Sequence, residues 1–308
     1  WTVTFHRPKP GLYLTERRDC VGEITVAPIG LPREFDPQGG LLVNEEGDLH
    51  TLLPDRPASA HKGDCGRTVI YAGSLGMAGA AMMAARAALH AGAGLTTVIC
   101  PRAAMPVLQQ EVPNATCLAA EDQPTPKCDA LLMGCGIAEN DDTYADMMRL
   151  KATDAYQVWD AGALNLLAGH PQQLGARAVI TPHAGEAARL LGWEIPAVLS
   201  DKLGAAEALR AKYGCNVVLK SAVTVMLTAD GQQCALNAVG SPALAKGGSG
   251  DALAGILASL LGQGLPMFDA MRAACLWLGL AGIAAGKRCG VRAALTGDVI
   301  DSLGACEG

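Results

Sequence analysis

Aromatic side chains are scarce in this sequence: three Phe, five Tyr and four Trp among 308 residues. Half the chain is still apolar, and glycine and alanine take the place of the missing rings. Helices are therefore expected to lie close to one another and to strands. Basic residues are also outnumbered, 24 Lys and Arg against 30 Asp and Glu, for a net charge of −6. With no basic stripe, nucleic acid is excluded as the main partner. No run reaches the ~18 uncharged apolar residues of a membrane helix. The nearest, residues 273–286, is bounded by Arg272 and Lys287 and reads as a buried helix, so no membrane partner is expected. No signal peptide opens the chain. It starts at Trp1 rather than methionine, and the expectation is that the native start lies upstream. The 11 cysteines form no Cys-x-x-Cys pair and no Cys/His cluster with zinc spacing, so no metal ligands are assigned. An odd number scattered through apolar segments reads as buried free thiols of a cytoplasmic protein.

What is present has a clear organisation. Residues 1–56 contain two short strand patterns, 2–5 and 23–27, punctuated by Pro8, Pro10 and Gly11, and then a Pro/Gly-rich connector. The segment is too short for a core of its own and reads as the tail of another domain, ahead of a main domain at 57–308. From His61 the pattern is regular. A strand at 68–72, a helix at 78–91 stopped by Gly92 and Gly94, and a strand at 95–100 make a βαβ unit. Further strands are expected at 130–133, 157–159, 178–180 and 217–219. A hairpin follows at 223–237, turning at Asp230-Gly231. The last third reads as mostly helical. The fold class is α/β with a mostly parallel sheet, whose ligands belong beyond the carboxyl ends of the strands.

The sharpest motif is Ala245-Lys246-Gly247-Gly248-Ser249-Gly250-Asp251, opening an apolar helix. Glycines let backbone N–H groups approach an anion, and the helix start adds positive potential. Position alone favours a capping role for Asp251. The three glycines, which a cap does not need, shift the reading toward a general base for a substrate hydroxyl. Lys220 ends a strand and is followed by Ser221 and Thr224; nucleotide phosphates or ribose suit it, and so does solvent. Thr181-Pro182-His183-Ala184-Gly185-Glu186 follows another strand, either as a substrate contact through His183 or as a turn with a capping carboxylate. Asp160 follows a third strand, with Asn165 one turn on. Gly134-Cys135-Gly136 and Gly73-Ser74 are turns by themselves, and neither a Rossmann fingerprint nor a Walker loop is present. His61-Lys62-Gly63-Asp64 reads as a turn leading into the first strand, Met82-Met83 as core filling, and His6, His50, His90 and His170 fall in no motif.

In this order the motifs resemble the NAD(P)H-hydrate dehydratases of the ribokinase-like superfamily. They are His61-Lys62-Gly63-Asp64, Ala72-Gly73-Ser74, Gly92-Ala93-Gly94-Leu95, Asp160-Ala161-Gly162-Ala163-Leu164-Asn165, Thr181-Pro182-His183, Lys220-Ser221-Ala222 and Gly247-Gly248-Ser249-Gly250-Asp251. The resemblance runs from about residue 61 to 303 and implies a three-layer α/β/α sandwich. It further implies that Asp251 takes the hydroxyl proton of a hydrated nicotinamide ring. Ala80, Gly136, Asp160, Asn165, His183 and Asp251 would meet the hydrate of NADH or NADPH. Lys220, Ser221, Ala222, Val223, Thr224, Gly247, Gly248 and Gly250 would hold the nucleotide. ADP would be the phosphate donor, with ATP as an alternative and Mg2+ alongside, and the assembly would be a homotetramer. Thr2-Val3-Thr4-Phe5, Lys9-Pro10-Gly11 and Val26-Ala27-Pro28-Ile29-Gly30 resemble the end of an NAD(P)H-hydrate epimerase domain, whose active part would lie upstream.

Four positions depart from the family pattern: Gly162 for Asp, Ala184 for Pro, Ser241 for Asn and Ser249 for Thr. Two other functions share Asp251 and the glycines: a vitamin-precursor kinase and a non-catalytic nucleotide sensor. The kinase does not account for the epimerase-like start or the Thr181-Pro182-His183 segment, and the retained Asp251 speaks against the sensor.

Overall fold

The computed structural model describes every residue except Glu16, Arg17, Arg33, 35–39 and Gly308. The chain opens with β1 (Thr2–Phe5), α1 (Pro10–Leu14), α2 (Arg18–Val21) and β2 (Ile24–Ala27), and β1 and β2 form a two-stranded parallel ladder. Then come β3 (Leu41–Val43), α3 (Leu49–Leu52), β4 (Arg67–Tyr71), α4 (Ala78–His90), β5 (Leu95–Cys100), α5 (Met105–Glu111) and β6 (Thr116–Ala119). The middle of the chain gives β7 (Ala130–Met133), α6 (Asp141–Lys151), β8 (Tyr156–Trp159), α7 (Gly162–Gly169), β9 (Ala178–Ile180), α8 (Ala184–Leu191), α9 (Ile195–Ser200) and α10 (Lys202–Tyr213). It closes with β10 (Asn216–Leu219), β11 (Thr224–Leu227), β12 (Cys234–Asn237), α11 (Ser249–Gly262), α12 (Met267–Cys289) and α13 (Thr296–Asp301).

Ten strands form one sheet in the order β3-β12-β11-β10-β9-β8-β7-β4-β5-β6. Only β11 runs against the others. Helices cover both faces, so the central strands are apolar on both sides. Within β7, Ala130 and Leu132 face the layer of α4, α11 and α12, while Leu131 and Met133 face the layer of α6, α7, α8 and α10. From β4 the chain winds outward to β6, returns to β7 on the other side of β4, and winds on to β10. The reversal between β4 and β7 is where such a sheet opens a crevice at its carboxyl ends.

The short β6 and β3 carry no pattern that marks them in sequence. β3 lies ahead of the expected boundary at residue 56. It pairs with β12, and Leu49 behind it is buried in the core, so the segment from Leu41 packs as part of the main sheet. Three residues are too few for an alternation signal, and only the free edge of β12 recruits them.

α12 is long and apolar enough to span a membrane by composition, yet 67% of its apolar window is buried inside the fold. It is a core helix, as the flanking charges suggested. All eleven cysteines are free thiols. α4 and α11 meet at Gly255, where an added Cβ would fall 2.2 Å from the Ala84 carbonyl oxygen. The small residues that replace aromatics are what permit this approach. Gly255→Ala is expected to destabilise the fold by about 1–3 kcal/mol through backbone displacement. Urea unfolding reads this, and an unchanged midpoint would disprove the close packing.

Candidate active site

Each strand from β7 to β10 delivers a polar group at its carboxyl end. β8 ends at Asp160, which is buried at 1% exposure. Its Oδ1 accepts hydrogen bonds from Lys220 Nζ at 2.6 Å and Thr181 Oγ1 at 2.7 Å. Lys220 leaves β10, and its N–H donates to the Pro182 carbonyl at 2.8 Å, which sets it beside the exit of β9. Lys220 Nζ also lies 4.0 Å from Glu186 Oε2. Burial disfavours the Lys220 ammonium, but Asp160 and Glu186 outweigh it, and its pKa is shifted upward.

His183 caps α8. Its Nδ1 accepts from the N–H groups of Gly185 and Glu186 at 3.0 and 3.2 Å, and its own N–H donates to Glu186 Oε2 at 2.8 Å. Both readings of this turn are therefore compatible: the ring caps the helix while 60% of its side chain stays exposed at the rim of the cavity.

The glycine loop opens α11. Gly248 is left-handed at φ +93. Gly250 sits where a Cβ would lie 3.2 Å from Lys220 Nζ and 3.8 Å from Asp160 Oδ2, so a side chain there would make the cation give way by a few tenths of an ångström. Ser249 Oγ is buried with no hydrogen-bond partner. A buried hydroxyl in that state costs about 1–3 kcal/mol unless something completes it, and a phosphate oxygen at this helix start would.

Asp251 stands in the first turn of α11. Its carboxylate oxygen, that of Asp160 and the Cys135 sulfur lie within 4.8 Å of one another. Burial and then Asp160 push the Asp251 pKa up to about 6, against the Cys135 thiol and Lys220, which lower it. A carboxyl poised there can accept a proton at neutral pH.

A cavity of about 700 Å³ adjoins this cluster. Lys220, Ser221, Ala222, Thr224, Gly250 and His183 line it. Val223 does not: its side chain is in the core, and its carbonyl accepts from Ser221 Oγ. Gly247 and Gly248 stand at the loop's outer side, where the Gly247 carbonyl accepts from Thr296 Oγ1 at 2.8 Å. Ala80 and Gly136 face each other, an added Cβ on Gly136 falling 2.8 Å from the Ala80 Cβ. Asn165 donates to Glu139 and accepts from Arg189. His61-Lys62-Gly63-Asp64 lies ahead of β4, at the opposite end of the strand from the site, where Gly94 packs on the Lys62 carbonyl.

Sequence reading passed over Cys135 and the cavity wall from β12 and α12, including Asn237, Cys275 and Gly279. Cys135 carried one signal, its place between two glycines after a strand; the residues of α12 carried none. Of the departures, Gly162 fits its surroundings, since a Cβ there would fall 2.7 Å from Ile137 Cγ1. Ala184 holds the first helical position, where proline is also tolerated. Ser241 Oγ accepts from the Ala243 N–H at 3.2 Å.

A mostly parallel three-layer sandwich with a glycine loop, a cation and a carboxylate at the carboxyl ends of its strands defines a ribokinase-like protein. A ribokinase-like superfamily protein from Enterococcus faecalis superposes with a TM-score of 0.78 at 26% identity, over 86% of this chain and 94% of that one. The chain belongs to the NAD(P)H-hydrate dehydratase family, whose profile matches residues 68–303. It is 37% identical over 284 residues to the bifunctional NAD(P)H-hydrate repair enzyme of Vibrio cholerae, covering 90% of this chain and 57% of that protein. The chain thus spans less than two thirds of that relative's length. The ADP/ATP-dependent NAD(P)H-hydrate dehydratase of Bacillus subtilis, co-crystallised with ATP and Mg2+, superposes with a TM-score of 0.78 at 25% identity, over 86% of this chain and 97% of that one.

Asp251 opposes folding in its charged form. Its ordinary value of 3.8 rises to about 6 in the fold, so the protonated group is favoured there and stability is lost as pH climbs through that window. Asp251→Asn is expected to be more stable than the parent by about 1–3 kcal/mol at neutral pH. Thermal unfolding across pH checks this: the gap should close in acid, and a constant gap contradicts the shift.

Proposed function

We propose that this chain performs nucleotide-dependent dehydration of hydrated NADH or NADPH, restoring the reduced cofactor, with ADP as phosphate donor and AMP and phosphate as products. The observation that carries it is Asp251, a half-buried carboxyl raised to about 6, at the mouth of a glycine loop beside the Lys220–Asp160 pair. Family membership and the ADP/ATP dependence of the Bacillus subtilis dehydratase support the same reading.

Hydroxide leaves a ring carbon poorly, and phosphate leaves well. In this reading Asp251 takes the proton of the ring hydroxyl as its oxygen attacks the terminal phosphorus of the nucleotide. The amides at Gly248 to Gly250 and the orphan Ser249 hydroxyl stabilise the charge in transit. Lys220 holds the phosphates, Ser221 and Thr224 the nearer part of the nucleotide, and His183 the hydrate. Mg2+ carried on the phosphates would offset their charge. The ring nitrogen then expels phosphate, and Asp251 returns its proton to solvent or product.

The relatives' bifunctional name also supports assigning the β1–β2 ladder to a second, epimerase domain, with Trp1 and Phe5 exposed on it. Oligomerisation to a homotetramer belongs to the same proposal.

The test is return of reduced-nicotinamide absorbance from NADH hydrate with Mg2+ and either ADP or ATP. A nucleotide-dependent rise is expected, faster with ADP, and Asp251→Asn should lose about 10²–10⁴-fold of it. No rise from folded protein that binds nucleotide would overturn the reading in favour of a kinase or a sensor. Because the base must be ionised, kcat/KM should climb with pH through about 6. A flat acid limb would remove Asp251 from the base role.

A further inference from the structure

We propose that Cys135 is a positioning residue for Asp251, its fully buried thiol donating a hydrogen bond that fixes the carboxylate. This rests on the general-base reading of Asp251 given above.

The geometry begins with the backbone. Cys135 follows β7 between two left-handed glycines, Gly134 at φ +126 and Gly136 at φ +65. A Cβ on Gly134 would strike the Asp160 carbonyl oxygen at 1.8 Å, and one on Gly136 the Met77 carbonyl oxygen at 2.7 Å. The Cys135 carbonyl accepts from the Gly73 N–H at 2.8 Å. The turn is held on three sides, against β8, against the start of α4 and against the exit of β4. That leaves the side chain, fully buried, directed at the first turn of α11.

There the Cys135 Sγ and a carboxylate oxygen of Asp251 lie within 4.8 Å of each other. S–H is a weak donor in water. Fully buried and facing an anion, it becomes a charge-assisted donor. The thiol also stays protonated, because burial and then the charges of Asp251 and Asp160 push its pKa well above 9. Cys135 is thus a permanent donor rather than a nucleophile.

Four groups act on Asp251 from the surrounding elements: Asp160 after β8, Glu186 in α8, Lys220 after β10 and Cys135 after β7. The two carboxylates and burial favour the protonated acid. Lys220 and the thiol favour the carboxylate. Lys220 is bonded to Asp160, so the thiol is the donor given to Asp251 itself.

The test uses kcat/KM against pH for the parent, Cys135→Ala and Cys135→Ser. In Cys135→Ala the acid limb should move to higher pH, with a loss of about 2- to 10-fold at acid pH that shrinks toward alkaline pH. Cys135→Ser, which keeps a donor, should bring the limb back to the parent's position or below. A purely packing role predicts a loss independent of pH, and that result overturns the proposal. A second measurement needs neither turnover nor the alanine variant. The infrared S–H stretch of Cys135, isolated by subtracting the Cys135→Ser spectrum, should sit at low frequency and rise in Asp251→Asn. An identical band in both backgrounds refutes the hydrogen bond, whether or not the dehydratase reading stands.

Discussion

One buried ammonium holds this site together. Lys220 lies 2.6 Å from Asp160 and 4.0 Å from Glu186, and Asp251 shares the same small volume. Three carboxyl groups this near one another repel, and a cation among them offsets that repulsion. Removing the cation would strand buried charge, which is far more destabilising than exchanging the whole set for apolar groups. The position of Lys220 comes from the main chain, through its bond to Pro182 and the bridge beside His183. The need for Gly250 follows, because any side chain at that point would press on Lys220 Nζ.

The sheet supplies the convergence. Parallel strands end on one edge, and the reversal between β4 and β7 keeps that edge open. α11 runs back across the sheet from this edge, and Gly255 lets it lie against α4. Its first turn therefore brings Asp251 over the exits of β7 and β8. The burial that disfavours the Asp251 anion also raises it to about 6, where it is a stronger base than a solvated aspartate. Stability and proton transfer draw on the same desolvation in opposite directions.

Much of the fold was legible because its signals are local. The β5 strand and the turn at Asp230-Gly231 follow from apolar runs and turn residues, and the structure has them where the pattern puts them. β3 was not legible, since three residues gain strand character only from the edge of β12. In the site, Asp251, Lys220, His183 and Asp160 stood out as polar residues after strands. Asn165 stood out equally; its side chain donates to Glu139 and accepts from Arg189. Cys135 looked like one more buried thiol.

The sequence by itself determined the alternation of strand and helix, the exclusion of aromatics from most of the core, and the glycine loop with its carboxylate. These depend on neighbours within a few residues, where periodicity and backbone freedom act directly. Only the tertiary structure decided which charges meet. Asp160 and Lys220 are sixty positions apart, and Cys135 and Asp251 farther still. Charge compensation and desolvation depend on distance through space, and no spacing along the chain records it.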